Sequence, residues 1–344
     1  MIYLIDPCND IYGHSVIYQN SLKKIRNTIH LNCSVDLEKT KSNFSMIYKY
    51  YIALKKQLKS VPKGNLAHLL YGDIYYKIPF ICSSLLNRNP TLVTMHTCPN
   101  GKFKHFLLKN FCKRVKRVIV HSEYIQKEME AIGINNTTYI DYPTFYNYAQ
   151  LPSKEDTRSM LDIPSDKFVL SALGGIRNDK GLDILLEAFQ YISEETKANI
   201  ILNIAGKPGF LDQEDIETLC HKYNIPSRLT IRPLSDKEFM ENVIISDYMV
   251  MPYRKKMTGN SGPMTEAIVN HIPCIVPQSS NLGRIAAQHK VGVCFEQENP
   301  KDLAATIEKE LQSPRSFDFS YSEQLKESSF IQKHEELYRS LGFL

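Results

Sequence analysis

Short apolar runs alternate with helical patterns along most of the chain, and this alternation restricts the fold more than any other feature of the sequence. The runs LAHLLY, TLVTM and NIILNIA contain few polar residues on either face. Such runs are typical of strands that are buried on both sides in a parallel sheet, with helices covering the sheet. The pattern predicts an α/β fold with two doubly wound parallel sheets.

Length and charge also divide the chain. Its 344 residues are enough for about two domains. Asn147–Thr157 is largely polar without a clear period, and we interpret it as a linker. Residues 1–150 carry a net charge of +11, whereas the remaining residues carry −6. This asymmetry predicts that the first domain faces an anionic partner, which could be nucleic acid, a membrane surface or a phosphorylated acceptor.

Several classes of protein receive no support from the sequence. The eight cysteines form no C-x-x-C pair and no Cys/His cluster at zinc spacing, so we predict reduced thiols and no metal site. The first residues, MIYLIDPCND, lack the basic and apolar regions of a signal peptide. The most apolar long window, Leu69–Leu86, contains Asp73, Lys77 and Pro79 and does not resemble a transmembrane helix. We therefore predict a cytoplasmic protein.

A helix start in the second half predicts an anion site. An apolar strand is followed by a polar loop and then by Ser261, Gly262 and Pro263. Ser261 suits the N-cap, and Pro263 suits the first turn because its missing N–H would be unpaired there. Such helix ends bind phosphate, and Glu266 one turn later could accept hydrogen bonds from a sugar diol. The alternative is an ordinary capped helix with a surface glutamate.

A glycine-rich turn predicts a second part of the same site. The strand KFVLSAL leads into GGIRNDKG and then into a helix. Gly175 belongs to a glycine pair that permits a close approach to the backbone, and Arg177 and Lys180 supply fixed positive charge. Together they suit a diphosphate. The alternative is an exposed basic turn.

Two positions in the first half follow predicted strands. Gly13 and His14 lie at a strand-to-helix crossing, where ligands of α/β proteins commonly bind. His96 follows the strand TLVTM, where it is either functional or a packed or capping residue. The fingerprint G-x-G-x-x-G is absent, so the sequence does not favour a dinucleotide.

The segment Gly101–Arg117 is predicted to form one basic amphipathic helix. This pattern is associated with anionic membrane surfaces, although its apolar stripe could instead face the domain core. No nucleic-acid-binding module is recognisable, so we do not expect a nucleic-acid partner. The basic residues of the predicted membrane or acceptor surface are Lys102, Lys104, Lys109, Lys113, Arg114, Lys116 and Arg117.

The two anion-binding segments together resemble those of the retaining GT-B glycosyltransferases of family 4, the glycosyl transferases group 1. Arg177 and Lys180 match the basic residues of the family's glycine-rich turn, and Glu266 matches the second glutamate of its E-x7-E motif. His271-Ile272-Pro273 resembles the family's G-x-P turn, with histidine in place of glycine. Thr258 stands where the family usually has its first glutamate.

The resemblance implies a GT-B fold, with two doubly wound, Rossmann-like domains and a cleft between them. Residues 1–148 would form the acceptor-binding domain, and residues 149–328 the nucleotide-sugar-binding domain. Residues 329–344 would form a C-terminal helix that crosses back to the first domain.

The resemblance also implies roles for individual residues. Glu266 would hold the nucleotide ribose, and the position of Thr258 would face the donor sugar. The residues implied to be catalytic are His96, Arg177, Lys180 and Glu266. Those implied to bind the donor are Gly13, His14, Gly175, Arg177, Lys180, Lys207, Thr258, Ser261, Gly262 and Glu266.

The function implied is transfer of a sugar from a nucleotide-diphosphate sugar to a hydroxyl group, with retention of configuration. A UDP-sugar is the favoured donor, and no metal or other cofactor is expected. The acceptor would be a glycan or a lipid-linked molecule of cell-envelope or surface-polysaccharide biosynthesis, at the inner face of the membrane. Thr258 in place of glutamate leaves open a non-catalytic homologue that assists a partner enzyme. A nucleotide-sugar epimerase is a further alternative.

Overall fold

The computed structural model describes residues 1–6, 14–31, 43–78, 83–144 and 146–344. The chain divides into two compact units. Unit 1 consists of Met1–Phe145 and Lys326–Leu344, and unit 2 consists of Tyr146–Leu325. Each unit is an α/β structure built on a parallel sheet.

The first part of unit 1 contains six strands and six helices within the described ranges. They are β1 (Ile2–Ile5), α1 (His14–Lys23), β2 (Thr28–Leu31), α2 (Asn43–Ser60), β3 (Leu66–Leu69), α3 (Gly72–Tyr75), α4 (Ser83–Leu86), β4 (Thr91–Met95), α5 (Lys102–Cys112), β5 (Arg117–Val120), α6 (Glu123–Ala131) and β6 (Thr137–Tyr139).

Unit 2 follows, and the last helix belongs again to unit 1. The elements are α7 (Lys154–Met160), β7 (Phe168–Leu173), α8 (Leu182–Ala188), α9 (Glu194–Ala198), β8 (Ile200–Ala205), α10 (Gln213–Lys222), β9 (Ser227–Thr230), α11 (Asp236–Ile244), β10 (Tyr248–Val250), α12 (Gly262–Val269), β11 (Cys274–Pro277), α13 (Asn281–His289), β12 (Gly292–Phe295), α14 (Pro300–Gln312) and α15 (Glu327–Ser340). Short 3-10 turns cover Tyr148–Gln150, Asn178–Lys180, Phe189–Tyr191 and Ser320–Leu325.

The sheet of unit 1 has the order β2-β1-β3-β4-β5-β6, and all of its strand pairs are parallel. Its central strands are fully buried, as their continuous apolar runs predict. Helix α15 packs on one face of this sheet through Phe330 and Tyr338, which share a core with Ile2 and Leu4. An ion pair between Lys333 and the buried Asp141 adds a polar attachment.

The sheet of unit 2 has the order β12-β11-β10-β7-β8-β9, also with parallel pairs throughout. The chain starts this sheet at β7, proceeds outwards to β9 on one side, and then crosses to β10 on the other. The carboxyl ends of β7 and β10 therefore flank a topological switch point. Ligands of doubly wound folds bind at such points.

Four segments differ from the sequence-based predictions. The predicted helix over Gly101–Arg117 is too long, because α5 ends at Cys112 and Arg117 already opens β5. The segment interpreted as a linker contains the start of α7, whose N-cap Ser153 accepts a hydrogen bond from the amide of Asp156. Strand β2 and helix α10 were not predicted, because β2 is short and α10 is exposed along most of its length, so both carry a weak apolar signal.

Within the described ranges, no helix is long and apolar enough to cross a membrane.

Candidate functional site

Helix α12 begins at the switch point of unit 2, where the sequence predicted a capped helix. The hydroxyl of Ser261 accepts a hydrogen bond from the amide of Met264 at 3.3 Å, and Pro263 lies in the first turn. The predicted cap is therefore confirmed. The cap also uses one of the amides that an anion would contact. In the described part of the chain, the amide of Gly262 remains without a partner.

The glycine-rich turn after β7 lies beside this helix. Gly174 has a φ of 99°, and a Cβ atom there would lie 2.8 Å from Nζ of Lys180 and 3.7 Å from Cγ of Pro263. A Cβ atom on Gly206 would lie only 2.1 Å from the carbonyl oxygen of Gly174. The two loops after β7 and β8 therefore approach each other more closely than any side chain would permit.

Gly175 differs from these two glycines. A Cβ atom on Gly175 would meet nothing within 4 Å. Its amide has no hydrogen-bond partner among the described residues. Gly175 therefore presents bare backbone to open space, as a site for a close-fitting anion requires.

The ammonium group of Lys180 lies over the ring of Tyr253, with Nζ 5.5 Å from the ring centre. Among the described residues, this ammonium makes no ion pair and no hydrogen bond. The hydroxyl of Tyr253 lies 3.0 Å from that of Ser261. Tyr253 thus joins the glycine-rich turn to the start of α12, a role that the sequence analysis missed because the residue precedes the motif in a polar loop.

Arg177 is held by its neighbour. Its guanidinium donates to both carboxylate oxygens of Asp179, at 2.9 and 2.8 Å. The hydrogen bond from Arg177 holds the pKa of Asp179 below its usual value, and Asp179 in turn raises the pKa of Arg177. The predicted fixed charge at Arg177 is therefore largely compensated. Lys180 is the stronger candidate for an anion ligand.

Thr258 lies half-buried in the loop that joins β10 to α12. Arg254 fastens this loop to the glycine-rich turn. Its guanidinium pairs with Asp183, and its Nε donates to the carbonyl of Asn178 at 2.9 Å. The structure thus places Thr258 in a segment that is tied to the turn carrying Arg177.

Glu266 is fully buried, so the alternative of a surface glutamate is wrong. Its Oε2 accepts a hydrogen bond of 3.0 Å from the hydroxyl of Tyr148. Burial raises the pKa of Tyr148, and the charge of Glu266 adds to this shift. Tyr148 therefore stays protonated and acts as a donor. These two residues are 118 positions apart, and no sequence pattern connects them.

A pocket opens where β7 and β10 end. The exposed Lys207 lies in the neighbouring loop after β8. Its backbone carbonyl accepts a hydrogen bond of 2.8 Å from the amide of Ile176. The pocket is lined by Ala172, Leu173, Gly174, Gly175, Ile176, Lys180, Leu182, Ile204, Val250, Met251, Pro252 and Tyr253.

His96 lies in unit 1, directly after β4. Its Nε2 is 3.1 Å from the carbonyl oxygen of Leu70, and its ring stacks on Tyr71 with the ring centres 4.6 Å apart. Asp73 accepts hydrogen bonds from the amides of His96 and Thr97. The sequence analysis assigned no functional role to Asp73, since no motif marks it.

The other two predicted positions of unit 1 are not described. Gly13 lies outside the described residues, as does the side chain of His14, which begins α1.

The predicted basic surface of unit 1 is distributed over α5 and the segment up to β5. Lys102, Lys104 and Lys109 lie on α5, whereas Lys113, Arg114, Lys116 and Arg117 follow it. All are exposed except the half-buried Lys109. The apolar stripe divides: Phe111 and Val115 are buried, but Phe103 and Phe106 are 72% and 57% exposed.

No group of three or more histidine, cysteine, aspartate or glutamate side chains that could hold a metal ion occurs in the described ranges.

The fold and this site define a class of protein. The chain belongs to the family Glycosyl transferases group 1, which it matches over residues 153–329, just over half of its length. The GT-B fold class predicted from the sequence is confirmed by two parallel α/β sheets like those of solved glycosyltransferases. No curated protein matches the chain in sequence.

Solved structures of low sequence identity share this fold. Sucrose-phosphate synthase from Thermosynechococcus elongatus is 17% identical with a TM-score of 0.74, and the match covers 99% of this chain and 98% of that one. HepE of Anabaena in complex with UDP is 13% identical with a TM-score of 0.75, over 98% and 99% of the two chains. WaaG, a glycosyltransferase involved in lipopolysaccharide biosynthesis, is 13% identical with a TM-score of 0.66, over 98% and 99%.

Proposed function

We propose that this protein transfers a sugar from a nucleotide-diphosphate sugar to a hydroxyl group of an acceptor, with retention of anomeric configuration. The observation that carries the proposal is the ammonium of Lys180, which has no partner among the described residues and lies over Tyr253 and beside Gly174 at the switch point of unit 2. An unpaired, half-buried cation next to bare glycine backbone favours a diphosphate ligand.

The chemistry follows from where charge develops. The bond between the anomeric carbon and the phosphate oxygen breaks, and a bond from the acceptor oxygen forms on the same face of the sugar. The acceptor proton passes to the leaving phosphate. Lys180 and the amides of Gly175 and Gly262, which have no partner in the described ranges, would stabilise the negative charge on the leaving group. Arg177 would add to this field once a phosphate competes with Asp179 for its guanidinium.

The nucleoside would be held in the same unit. Glu266 would accept hydrogen bonds from the ribose hydroxyls, and Lys207 would lie beside the nucleotide. A UDP-sugar is the favoured donor, in keeping with the UDP bound by HepE. Thr258 would face the donor sugar, where its hydroxyl offers a neutral contact. We propose that no metal ion takes part, because Lys180 and the amides supply positive charge at the diphosphate.

Unit 1 would bind the acceptor, with His96 as a catalytic residue and with Gly13 and His14 as contacts of the donor. We propose a glycan or lipid-linked acceptor of cell-envelope or surface-polysaccharide biosynthesis, at the inner face of the membrane. The basic surface around α5 and the exposed rings of Phe103 and Phe106 suit an anionic bilayer, because lysines attract anionic headgroups while rings enter the interface.

Flotation with vesicles that contain phosphatidylglycerol tests the proposed membrane contact. We expect the wild-type protein to float with the vesicles and the double variant Phe103→Ser/Phe106→Ser to lose binding.

The first experiment is nucleotide release from a panel of UDP-, GDP- and ADP-sugars. We expect slow release from one donor, strong reduction of that release in Lys180→Ala, and no change in Lys309→Ala, which removes an exposed lysine of α14. Equal release by the Lys180→Ala variant would refute the site. Release that persists in EDTA supports the metal-independent reaction.

Thr258 favours a second candidate function. A homologue without the usual glutamate at this position could assist a partner enzyme and not turn over itself. Tight binding of a nucleotide sugar, with no transfer to any acceptor and no restoration by Thr258→Glu, would support that role.

A further inference from the structure

The buried carboxylate of Glu266 is held by a residue from the first turn of unit 2. Tyr148 lies in the 3-10 turn Tyr148–Gln150, which is capped by the side chain of Asn147. Its hydroxyl donates to Oε2 of Glu266 at 3.0 Å. The phenol is thus tied to helix α12.

The turn itself is anchored on unit 2. The ring of Tyr146 packs against Phe239 of α11, with the ring centres 5.3 Å apart. The ring of Tyr148 packs against the apolar core that contains Met264 and Ala267 of α12. Because both rings are fixed, the hydroxyl of Tyr148 has a defined position relative to Glu266.

The hydrogen bond from Tyr148 restricts rotation of the Glu266 carboxylate. A carboxylate in a fixed orientation accepts hydrogen bonds from a diol, whereas a rotated one loses that geometry.

We propose that Tyr148 is a positioning residue that holds the carboxylate of Glu266 in the orientation in which it accepts hydrogen bonds from the ribose hydroxyls of the donor. This inference rests on the proposed function, in which Glu266 contacts the ribose. It assigns a part of nucleotide recognition to the segment with which unit 2 begins.

The test is calorimetric titration of the full chain with UDP, GDP and ADP and with the 2′,3′-dideoxy form of each. For the nucleotide that binds, we expect Tyr148→Phe to weaken affinity about fivefold, as for loss of one hydrogen bond. Affinity for the dideoxy form should stay unchanged, because that ligand has no ribose hydroxyls to present.

The matched control is Tyr248→Phe. Tyr248 donates to Oε2 of the buried Glu310 at 3.3 Å, so this variant removes the same kind of bond elsewhere in unit 2. It should not change affinity for either ligand. In a Glu266→Gln background, Tyr148→Phe should have no further effect on nucleotide affinity.

Two results would overturn the inference while leaving the proposed function intact. One is wild-type nucleotide affinity in the folded Tyr148→Phe variant. The other is an equal loss for the ribose and dideoxy forms, which would indicate a structural role only. If the wild-type protein binds none of the three nucleotides, the proposed function fails and the positioning role fails with it.

Discussion

The ammonium of Lys180 lies 5.5 Å from the ring centre of Tyr253, and the hydroxyl of the same tyrosine lies 3.0 Å from that of Ser261. One aromatic side chain therefore contacts both the cation and the helix cap of the candidate site. A cation over an aromatic face keeps its charge and its remaining donors available. The arrangement orients Lys180 without neutralising it.

The first prediction concerns the two parts of Tyr253. The variant Tyr253→Phe retains the ring and should lose about 1 kcal/mol of stability, as for one neutral hydrogen bond. Its nucleotide affinity should stay near that of the wild type. Tyr253→Leu removes the ring as well and should weaken nucleotide binding severalfold relative to the wild type. Thermal unfolding and calorimetric titration measure the two effects, and equal affinities in both variants would contradict the role of the ring.

The second prediction compares two glycines. Gly206→Ala should destabilise unit 2 strongly, because the new Cβ would collide with the carbonyl oxygen of Gly174. The φ of 151° at Gly206 is also unfavourable for alanine. Gly175→Ala should fold normally, because its Cβ meets nothing within 4 Å, and yet bind the nucleotide more weakly, because the methyl group would occupy ligand space. Normal affinity in Gly175→Ala would show that no ligand approaches this backbone.

The third prediction concerns the attachment of α7. Asp247 accepts from Lys154 at 2.7 Å, from Arg158 at 2.6 Å and from the amide of Val169 at 2.8 Å. Burial alone would raise the pKa of Asp247, but these hydrogen bonds hold it below its usual value. We expect Asp247→Asn to lower the free energy of unfolding by about 2 kcal/mol, as measured by denaturant unfolding. The loss is smaller than for a fully buried ion pair, because Asp247 is partly exposed.

Asp166→Asn is the control for this variant. Asp166 pairs with Lys167 at 3.6 Å on the surface, with the aspartate side chain 73% exposed. Such pairs contribute little to stability, so this substitution should leave the unfolding curve nearly unchanged. Equal effects of the two substitutions would show that the Asp247 ion pairs do not fasten α7.

The fourth prediction is a loss of stability in acid that originates in unit 1. Burial lowers the pKa of His334 to about 4, and burial followed by neighbouring histidines lowers the pKa values of His68 and His121 well below the usual 6.5. Their folded pKa values lie below the unfolded ones, so the unfolded chain binds protons first. Stability is complete above pH 6.5 and falls as the pH decreases towards 4.

For His334 alone, the loss between pH 7 and pH 5 is roughly 2 kcal/mol. The variant His334→Phe should therefore show a shallower pH dependence of its unfolding midpoint. His221→Phe, which alters an exposed histidine on α10, should retain the slope of the wild type. Identical slopes in all three proteins would refute the assignment to His334.

The features that were predictable from the sequence depend on neighbours in the chain. The cap at Ser261 and the buried strand at Thr91–Met95 follow from local residue types, and the structure contains both. The pairing of Arg177 with Asp179 was visible in GGIRNDKG but was not anticipated, because the pattern was interpreted as a ligand site. Local chemistry alone does not decide whether a cation prefers a ligand or a neighbour.

The features that could not be predicted join distant positions. The bond from Tyr148 to Glu266 spans 118 residues, and the attachment of α7 through Arg158 and Asp247 spans 89. Only the folded sheet brings these side chains together. Helix α5 was predicted too long for a related reason: its last basic residues continue the pattern, while the start of β5 is determined by pairing with β4.

The composition of unit 1 from two separated parts has a consequence for synthesis. Residues 326–344 leave the ribosome only after all of unit 2 has been made, and they include Phe330 and Tyr338, which fill the core around Ile2 and Leu4. Unit 2 is continuous in sequence and can complete its fold while the nascent chain is still attached. Unit 1 lacks this part of its core until then, and a truncated chain without α15 would expose the apolar residues around Ile2 and Leu4, which favours aggregation.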